Sequence, residues 1–126
     1  GMYVNSFGSE ALGNATADFL VKEKGADIIF GAGGATGSFG ILRAADLGAH
    51  VVGVDVDEYL TTFAGRSLEL RSKLISSAMK VLYVATYEGI RRALAADPAT
   101  GVMEGVNRNN FLLDYRNSGV GTGPCH

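Results

Sequence analysis

The stretch that decides the fold is Ala26-Asp27-Ile28-Ile29-Phe30-Gly31-Ala32-Gly33-Gly34-Ala35-Thr36-Gly37. Residues 26–30 are predicted to form a strand, and the unbroken apolar run at Ile28–Phe30 is typical of a strand covered on both faces. The glycines that follow indicate a tight turn into a helix, which runs through Ile41 and stops at Gly48. The stretch therefore predicts a strand, a turn and a helix in direct succession.

The segments on either side repeat this pattern. Upstream, Tyr3–Phe7 is predicted as a strand, and Ser9 is predicted to cap a helix that ends at Gly25. Downstream, His50–Val54 is predicted as a third strand, with Asp55 and Asp57 at its carboxyl end. Alternating strands and helices favour a parallel sheet with helices packed on it.

The second half of the chain carries weaker signals. Thr61–Arg71 is predicted as a loop, with an edge strand left open. A long helix is predicted from a cap at Ser76 or Ser77 to about Ala96, just before Pro98. The remaining predictions are two weak strands, Gly101–Val106 and Phe111–Tyr115, and a loose end at Gly119–Gly123.

The predicted fold is a single α/β domain over residues 1–126. It has three layers, with a parallel sheet between helices on both faces, and the two weak strands could add an antiparallel hairpin at one edge. In such sheets ligands bind at the carboxyl ends of the strands. Phe7, the turn at 31–37 and the carboxylates Asp55 and Asp57 are therefore expected along one rim.

Composition excludes several classes of protein. The 126 residues are 47% hydrophobic and 19% charged, which argues against intrinsic disorder. One cysteine and two histidines cannot make a disulfide framework or a zinc site of ordinary spacing. A net charge of −2 offers no basic field for nucleic acid, and no segment has the ~18 apolar residues of a membrane span.

The turn also permits an alternative function, a small NAD(P)-binding domain that uses Gly33–Gly40. The turn opens a helix and precedes acidic residues at a strand end, as in a dinucleotide fingerprint. Against this, the chain is short for a complete dinucleotide fold, no Tyr-x-x-x-Lys pair follows, and the turn lies in the second strand–helix unit.

Four blocks of the sequence, in order, resemble the basic membrane lipoprotein family. The blocks are Gly25–Phe30 with Ala32–Gly37, Gly53–Glu58, Ser76–Lys80, and Phe111–Tyr115 through Gly119–Gly121. These proteins are substrate-binding components of ABC transporters, with a two-lobed type I periplasmic-binding-protein fold, and many bind purine nucleosides. The resemblance implies that this chain is the carboxyl-side lobe.

The same resemblance implies a non-enzymatic protein without a cofactor, located outside the cytoplasm. In the family, aromatic side chains sandwich the base and carboxylates hold the ribose between two lobes. One lobe would supply half of these contacts, so we expect either a partner lobe or a homodimer that covers the exposed face. The sequence does not identify the ligand.

Phe7, Gly33 and Gly34 are candidate ligand contacts. Phe7 matches an aromatic position of the family and could stack on a base, although burial in the core is the commoner fate of phenylalanine. Gly33 and Gly34 could let a ligand approach the backbone, or could simply satisfy a turn with positive φ.

Asp55, Asp57 and Lys80 are the charged candidates. Asp55 is favoured over Asp57 as the acceptor of ribose hydroxyls because it comes directly at the strand end; capping of the next segment is the alternative. Lys80, interpreted as near a helix start where a cation is unfavourable, is expected to have an outside partner or to be solvated. No catalytic role is predicted for His50, His126, Ser76 or Ser77.

Overall fold

The computed structural model describes residues 1–96, 100, 114 and 116–126. Four helices and four strands lie in these residues, together with a π-helical turn at Phe19–Glu23. The elements are α1 Glu10–Asp18, β1 Ile28–Phe30, α2 Gly34–Asp46, β2 His50–Asp55, α3 Leu68–Arg71, β3 Leu74–Lys80, α4 Leu82–Leu94 and β4 Val120–Thr122.

The strands form one sheet in the order β1-β2-β3-β4. β1, β2 and β3 are parallel, with Phe30 beside Val52 and Asp55 beside Met79. β4 runs antiparallel to β3, and just beyond β4 the Gly123 N–H donates to the Ser77 carbonyl over 2.7 Å. The predicted α/β class is confirmed, and its parallel core ends in one antiparallel pair.

The core lies between the sheet and the helices. Phe63, Ile41, Leu74 and Val51 are fully buried there, and alanines of α1 and α2 fill the space around them. The helices α1 and α2 touch through small residues, because a Cβ atom at Gly13 would overlap the Thr36 carbonyl oxygen. This close contact holds the amino-terminal end of α2 against α1.

The chain divides into two compact units. The first comprises Gly1–Met79 with Thr122–His126, and contains the core. The second, Lys80–Gly121, contains α4, on which Glu88 pairs with Arg91 and Arg92. The expectation of one domain over 1–126 stays a prediction. Among the described residues, no helix combines the length and apolar character of a membrane span.

Helix α1 begins as predicted, and the π-helical turn Phe19–Glu23 continues it to two residues before Gly25. The Ser9 hydroxyl accepts the Leu12 N–H, and Gly25 has a positive φ of 67° after the π-helical turn. The strand predicted at Tyr3–Phe7 is wrong: no strand occurs before β1. Asn5 interrupts the segment with a φ of 53°, which extended pairing does not permit.

The helix predicted from Ser76 or Ser77 is also wrong at its start. Residues 74–80 are β3, and helix α4 begins only at Leu82. The two serine hydroxyls connect β3 to neighbouring segments instead of capping a helix. Ser76 donates to the Gly123 carbonyl, and Ser77 accepts the Glu58 N–H. Lys80 therefore ends a strand, and its predicted position inside the first turn of a helix is wrong.

Two further predictions concern the loops and the tail. Residues 61–71 contain turns and the short helix α3, without the edge strand left open by the sequence. The segment 119–123, predicted as loose, contains β4. The weak strands predicted at Gly101–Val106 and Phe111–Tyr115 lie outside the described residues, apart from Asp114.

Candidate ligand-binding site

The glycine turn joins β1 to α2 and begins the rim. Gly34, the first residue of α2, has a φ of +58°, a conformation that favours glycine. A Cβ atom there would also stand 3.2 Å from Cδ1 of Phe7 and 3.0 Å from the Phe7 carbonyl oxygen. Gly33 is extended, at φ 169°, so no positive φ requires glycine at this position. The turn therefore needs glycine at position 34, both because φ is positive there and because a Cβ atom would crowd Phe7.

Phe7 lies on this turn with its side chain in solvent. The residue is 80% exposed, so the alternative of a phenylalanine buried in the core is wrong. Its main chain is held in place, because the Phe7 carbonyl accepts the Thr36 N–H over 3.2 Å. Thr36 is itself buried, and its hydroxyl accepts the Ser9 N–H over 2.8 Å. The arrangement presents an aromatic ring from an anchored backbone.

Asp55 ends β2 in an unusual conformation. Its φ of 69° is in the left-handed region, which few residues other than glycine adopt. The β2–β3 register pairs it with Met79, so it lies at the carboxyl end of two adjacent parallel strands. Backbone strain of this kind is concentrated at functional sites. Asp55 thus lies at the strand end expected from the sequence, and its role in binding stays a prediction.

Asp57 has structural partners. One of its carboxylate oxygens accepts the Tyr59 N–H over 3.1 Å and lies 3.1 Å from Nε2 of His126. The His126 ring stacks on Tyr59 at 4.0 Å, and the Arg71 guanidinium covers the other side of Tyr59 at 3.8 Å. Asp57 therefore caps the loop after β2.

Lys80 is the exposed last residue of β3 and lies one position beyond Met79. It is assigned to the second compact unit, whereas the other five candidates belong to the first. Its role in binding stays a prediction. Phe7, Gly33 and Gly34 are close in space, and Asp55 lies at the strand end that follows α2.

Comparison with known proteins places this chain in a family. The family model for Bmp, described as ABC transporter substrate-binding protein PnrA-like, matches residues 2–104. The chain belongs to the Bmp family. Basic membrane protein D of Borreliella burgdorferi (strain JD1) is 32% identical over an alignment of 123 residues, which covers 94% of this chain and 31% of that protein. The chain thus spans about a third of the length of this Bmp relative.

Membership of the Bmp family confirms the resemblance inferred from the four sequence blocks. It is a family of substrate-binding proteins, which agrees with the prediction of a non-enzymatic chain. In the described residues, no group of three or more histidine, cysteine, aspartate or glutamate side chains could hold a metal ion. The ligand itself is not identified by either comparison.

Glu58 is a buried residue of this Bmp chain that sequence reasoning missed. It is 2% exposed, and its carboxylate accepts the Ser38 hydroxyl of α2 over 2.9 Å. Its own N–H donates to Ser77, and its side chain passes over Gly53, where a Cβ atom would overlap it. Gly53 was the available signal, because a glycine inside a strand often marks a close approach.

The same contacts disfavour phosphate binding at the Gly33–Gly40 turn. A dinucleotide site needs free N–H groups and a positive field at the start of the helix. Here the Thr36 N–H is already bound to Phe7, and the Glu58 carboxylate is bound to Ser38 in the second turn of α2. The geometry does not favour the NAD(P) alternative in this member of the Bmp family.

Proposed function

We propose that this chain is a non-enzymatic lobe that binds a purine nucleoside or a close analogue. The observation that carries the proposal is the exposed Phe7 ring held against Gly34. An aromatic ring that is largely in water gains little for folding, whereas it offers a flat face to a base. Membership of a substrate-binding family supports the same conclusion.

Each candidate residue has a distinct task in this proposal. The base stacks on Phe7, and comparable aromatic–base contacts are worth about 1–3 kcal/mol. The turn at Gly33 and Gly34 carries no side chain, so the ligand can approach the main chain closely. Asp55 accepts hydrogen bonds from the ribose hydroxyls, as an ionised carboxylate can. The ligand is then recognised by stacking of its base and by hydrogen bonds from its two ribose hydroxyl groups.

The rim would form only one side of the binding surface. We propose that another lobe, or a second copy of this chain in a homodimer, supplies the opposite side of the ligand. We also propose an extracytoplasmic location, in line with the relative named basic membrane protein D. Delivery of the ligand to an ABC transporter is the activity that the family description supports for the complete protein.

A thermal-shift panel tests the proposed ligand class. The chain is heated with adenosine, guanosine, inosine, NAD or NADP at matched concentrations, because a ligand of the native state raises Tm by mass action. At least one nucleoside should raise Tm, and Phe7→Ala should reduce that shift while the ligand-free Tm stays close to that of the parent. Tyr3→Ala, which removes another exposed ring, is the control. A shift with NAD or NADP alone would overturn the proposal.

A further inference from the structure

Asp55 is the central residue of a γ-turn at the end of β2. The Val56 N–H donates over 2.8 Å to the carbonyl of Val54, two residues back, and the φ of Asp55 between them is +69°. A hydrogen bond of this span around a positive φ defines the form of γ-turn that is rare and strained. Such a conformation persists only where the surrounding structure fixes the chain around it.

The sheet fixes the turn on its amino-terminal side. In the parallel register of β2 and β3, Val54 lies beside Ala78 and Asp55 lies beside Met79. Strand pairing does not continue on the other side, because β2 ends at Asp55 itself. The residue that fixes the turn from its carboxyl-terminal side therefore has to lie in the loop that follows β2.

Glu58 provides this second attachment, because both its main chain and its side chain are bound. Its N–H donates to the Oγ atom of Ser77 on β3 over 3.1 Å, and its carbonyl accepts the N–H of the core residue Phe63 over 2.9 Å. Its Oε1 atom accepts the hydroxyl of Ser38 on α2 over 2.9 Å. Three residues after Asp55, the chain is thus attached to β3, to α2 and to the core.

The carboxylate of Glu58 is an unfavourable group for this environment. Glu58 is 2% exposed, and its Oε2 atom has no hydrogen-bond partner among the residues that the structure describes. Burial of a carboxylate with one oxygen unpaired opposes folding. Stability alone therefore does not explain an acid here, and a buried group of this kind calls for another reason.

We propose, on the basis of the proposed function, that Glu58 is a positioning residue that holds Asp55 in the conformation required by the ribose contact. Glu58 is buried and does not touch the ligand. Its bonds to Ser38 and Ser77 keep the loop after β2 against α2 and β3, and this keeps the γ-turn closed. Without them the turn relaxes to an unstrained backbone conformation, and the Asp55 carboxylate turns away from the ribose.

The test compares a nucleoside with its 2′,3′-dideoxy analogue, which lacks the hydroxyls that Asp55 would bind. Adenosine, guanosine and inosine are each titrated calorimetrically beside the matching analogue. Glu58→Ala should weaken the nucleoside about tenfold or more and the analogue by no more than about twofold. Glu58→Gln keeps an oxygen that can accept the Ser38 hydroxyl, so it should bind the nucleoside within about twofold of the parent.

A stability control and a ligand-free measurement accompany the titrations. Ile41→Val shortens a fully buried side chain of α2, so it should lower Tm and leave the ratio of the two affinities unchanged. Nuclear magnetic resonance reports the turn directly, because a positive φ brings the amide proton and Hα of one residue close together. The parent and Glu58→Gln should show a strong nuclear Overhauser effect between these two protons of Asp55, and Glu58→Ala should lose it.

Two results would overturn the positioning role: Glu58→Ala weakens the nucleoside and its analogue equally, or Asp55 keeps its positive φ in that variant. A parent chain that binds no nucleoside would overturn the proposed function instead, and the magnetic resonance measurement would still decide whether Glu58 holds the turn at Asp55. If Glu58→Ala does not fold, Ser77→Ala takes its place under the same criteria, since it removes the acceptor of the Glu58 N–H.

Discussion

The Phe7 ring lies against the Cα atom of Gly34, so close that a Cβ atom there would stand 3.2 Å from Cδ1 of Phe7. Gly34→Ala should therefore displace the ring and weaken nucleoside binding. The positive φ of Gly34 adds a folding cost of about 1 kcal/mol. Binding calorimetry and denaturant unfolding measure the two effects separately.

Gly65→Ala is the matched control for this variant. Gly65 has a φ of +71°, and an added Cβ would have no atom of the described part of the chain within 4 Å, so the substitution carries the same backbone cost without a contact to Phe7. It should lower stability to a similar degree and leave nucleoside binding intact. Equal binding losses in the two variants would show that the Phe7 position does not matter.

Asp55 and Asp57 can be separated by matched substitutions. Asp55→Asn keeps a residue that tolerates positive φ but removes the charge, so nucleoside affinity should fall about 10- to 150-fold, which corresponds to ~1.5–3 kcal/mol. Asp57→Asn should alter the contact with His126 and change nucleoside affinity by no more than about twofold. Isothermal titration of both variants checks this, and the reverse pattern would assign the ribose to Asp57.

Gly53 tests the buried position of Glu58. A Cβ atom at Gly53 would stand 2.6 Å from the Ser77 hydroxyl and would overlap the Glu58 side chain. Gly53→Ala should therefore destabilise the fold by about 1–3 kcal/mol, the usual cost of overpacking. Gly121→Ala, in β4 with no atom of the described residues within 4 Å of an added Cβ, is the control and should stay within about 0.5 kcal/mol of the parent in denaturant unfolding.

Asp18 links the packing of α1 and α2 to pH. Hydrogen bonds from Lys22 and then from Arg43 hold the pKa of Asp18 below its ordinary value of 3.8. A lowered pKa in the folded state contributes stability above the ordinary value, and this contribution is lost as pH falls through the folded pKa. Asp18→Asn should therefore have a lower Tm than the parent at about pH 6, and the gap should narrow as the pH falls below 3.8. Arg43→Gln, which removes a partner that spans α1 and α2, should reproduce this trend. A gap that is independent of pH would contradict it.

The parallel part of the fold could be predicted where short-range signals agree. Ile28–Phe30, the glycine turn and the alanine-rich helix that follows are locally consistent, and β1 and α2 appear where expected. Ser9 caps α1, and Gly25 follows the π-helical turn that continues α1, for the same reason. These elements depend on backbone preferences that a single sequence displays.

The errors arise where contacts with residues far away in the sequence determine the local structure. Ser76 and Ser77 have the side chains of a helix cap, but Gly123 and Glu58 provide their hydrogen bonds inside the sheet. Tyr3–Phe7 has a strand composition, yet the contact of Phe7 with Thr36 and Gly34 fixes it in another conformation. His126 could not be connected to Asp57 from sequence, since the two are 69 positions apart. Partners of this kind are chosen by the tertiary fold.

The left-handed conformation of Asp55 has a consequence for protein engineering. Glycine adopts this conformation without strain, so a library selected only for heat resistance should converge on Asp55→Gly. The survivors would lack the one carboxylate that the proposed ribose contact requires. Under the proposed function, thermostability and ligand capture are therefore opposed at this single residue, and a stabilised version of the chain is best selected with nucleoside present.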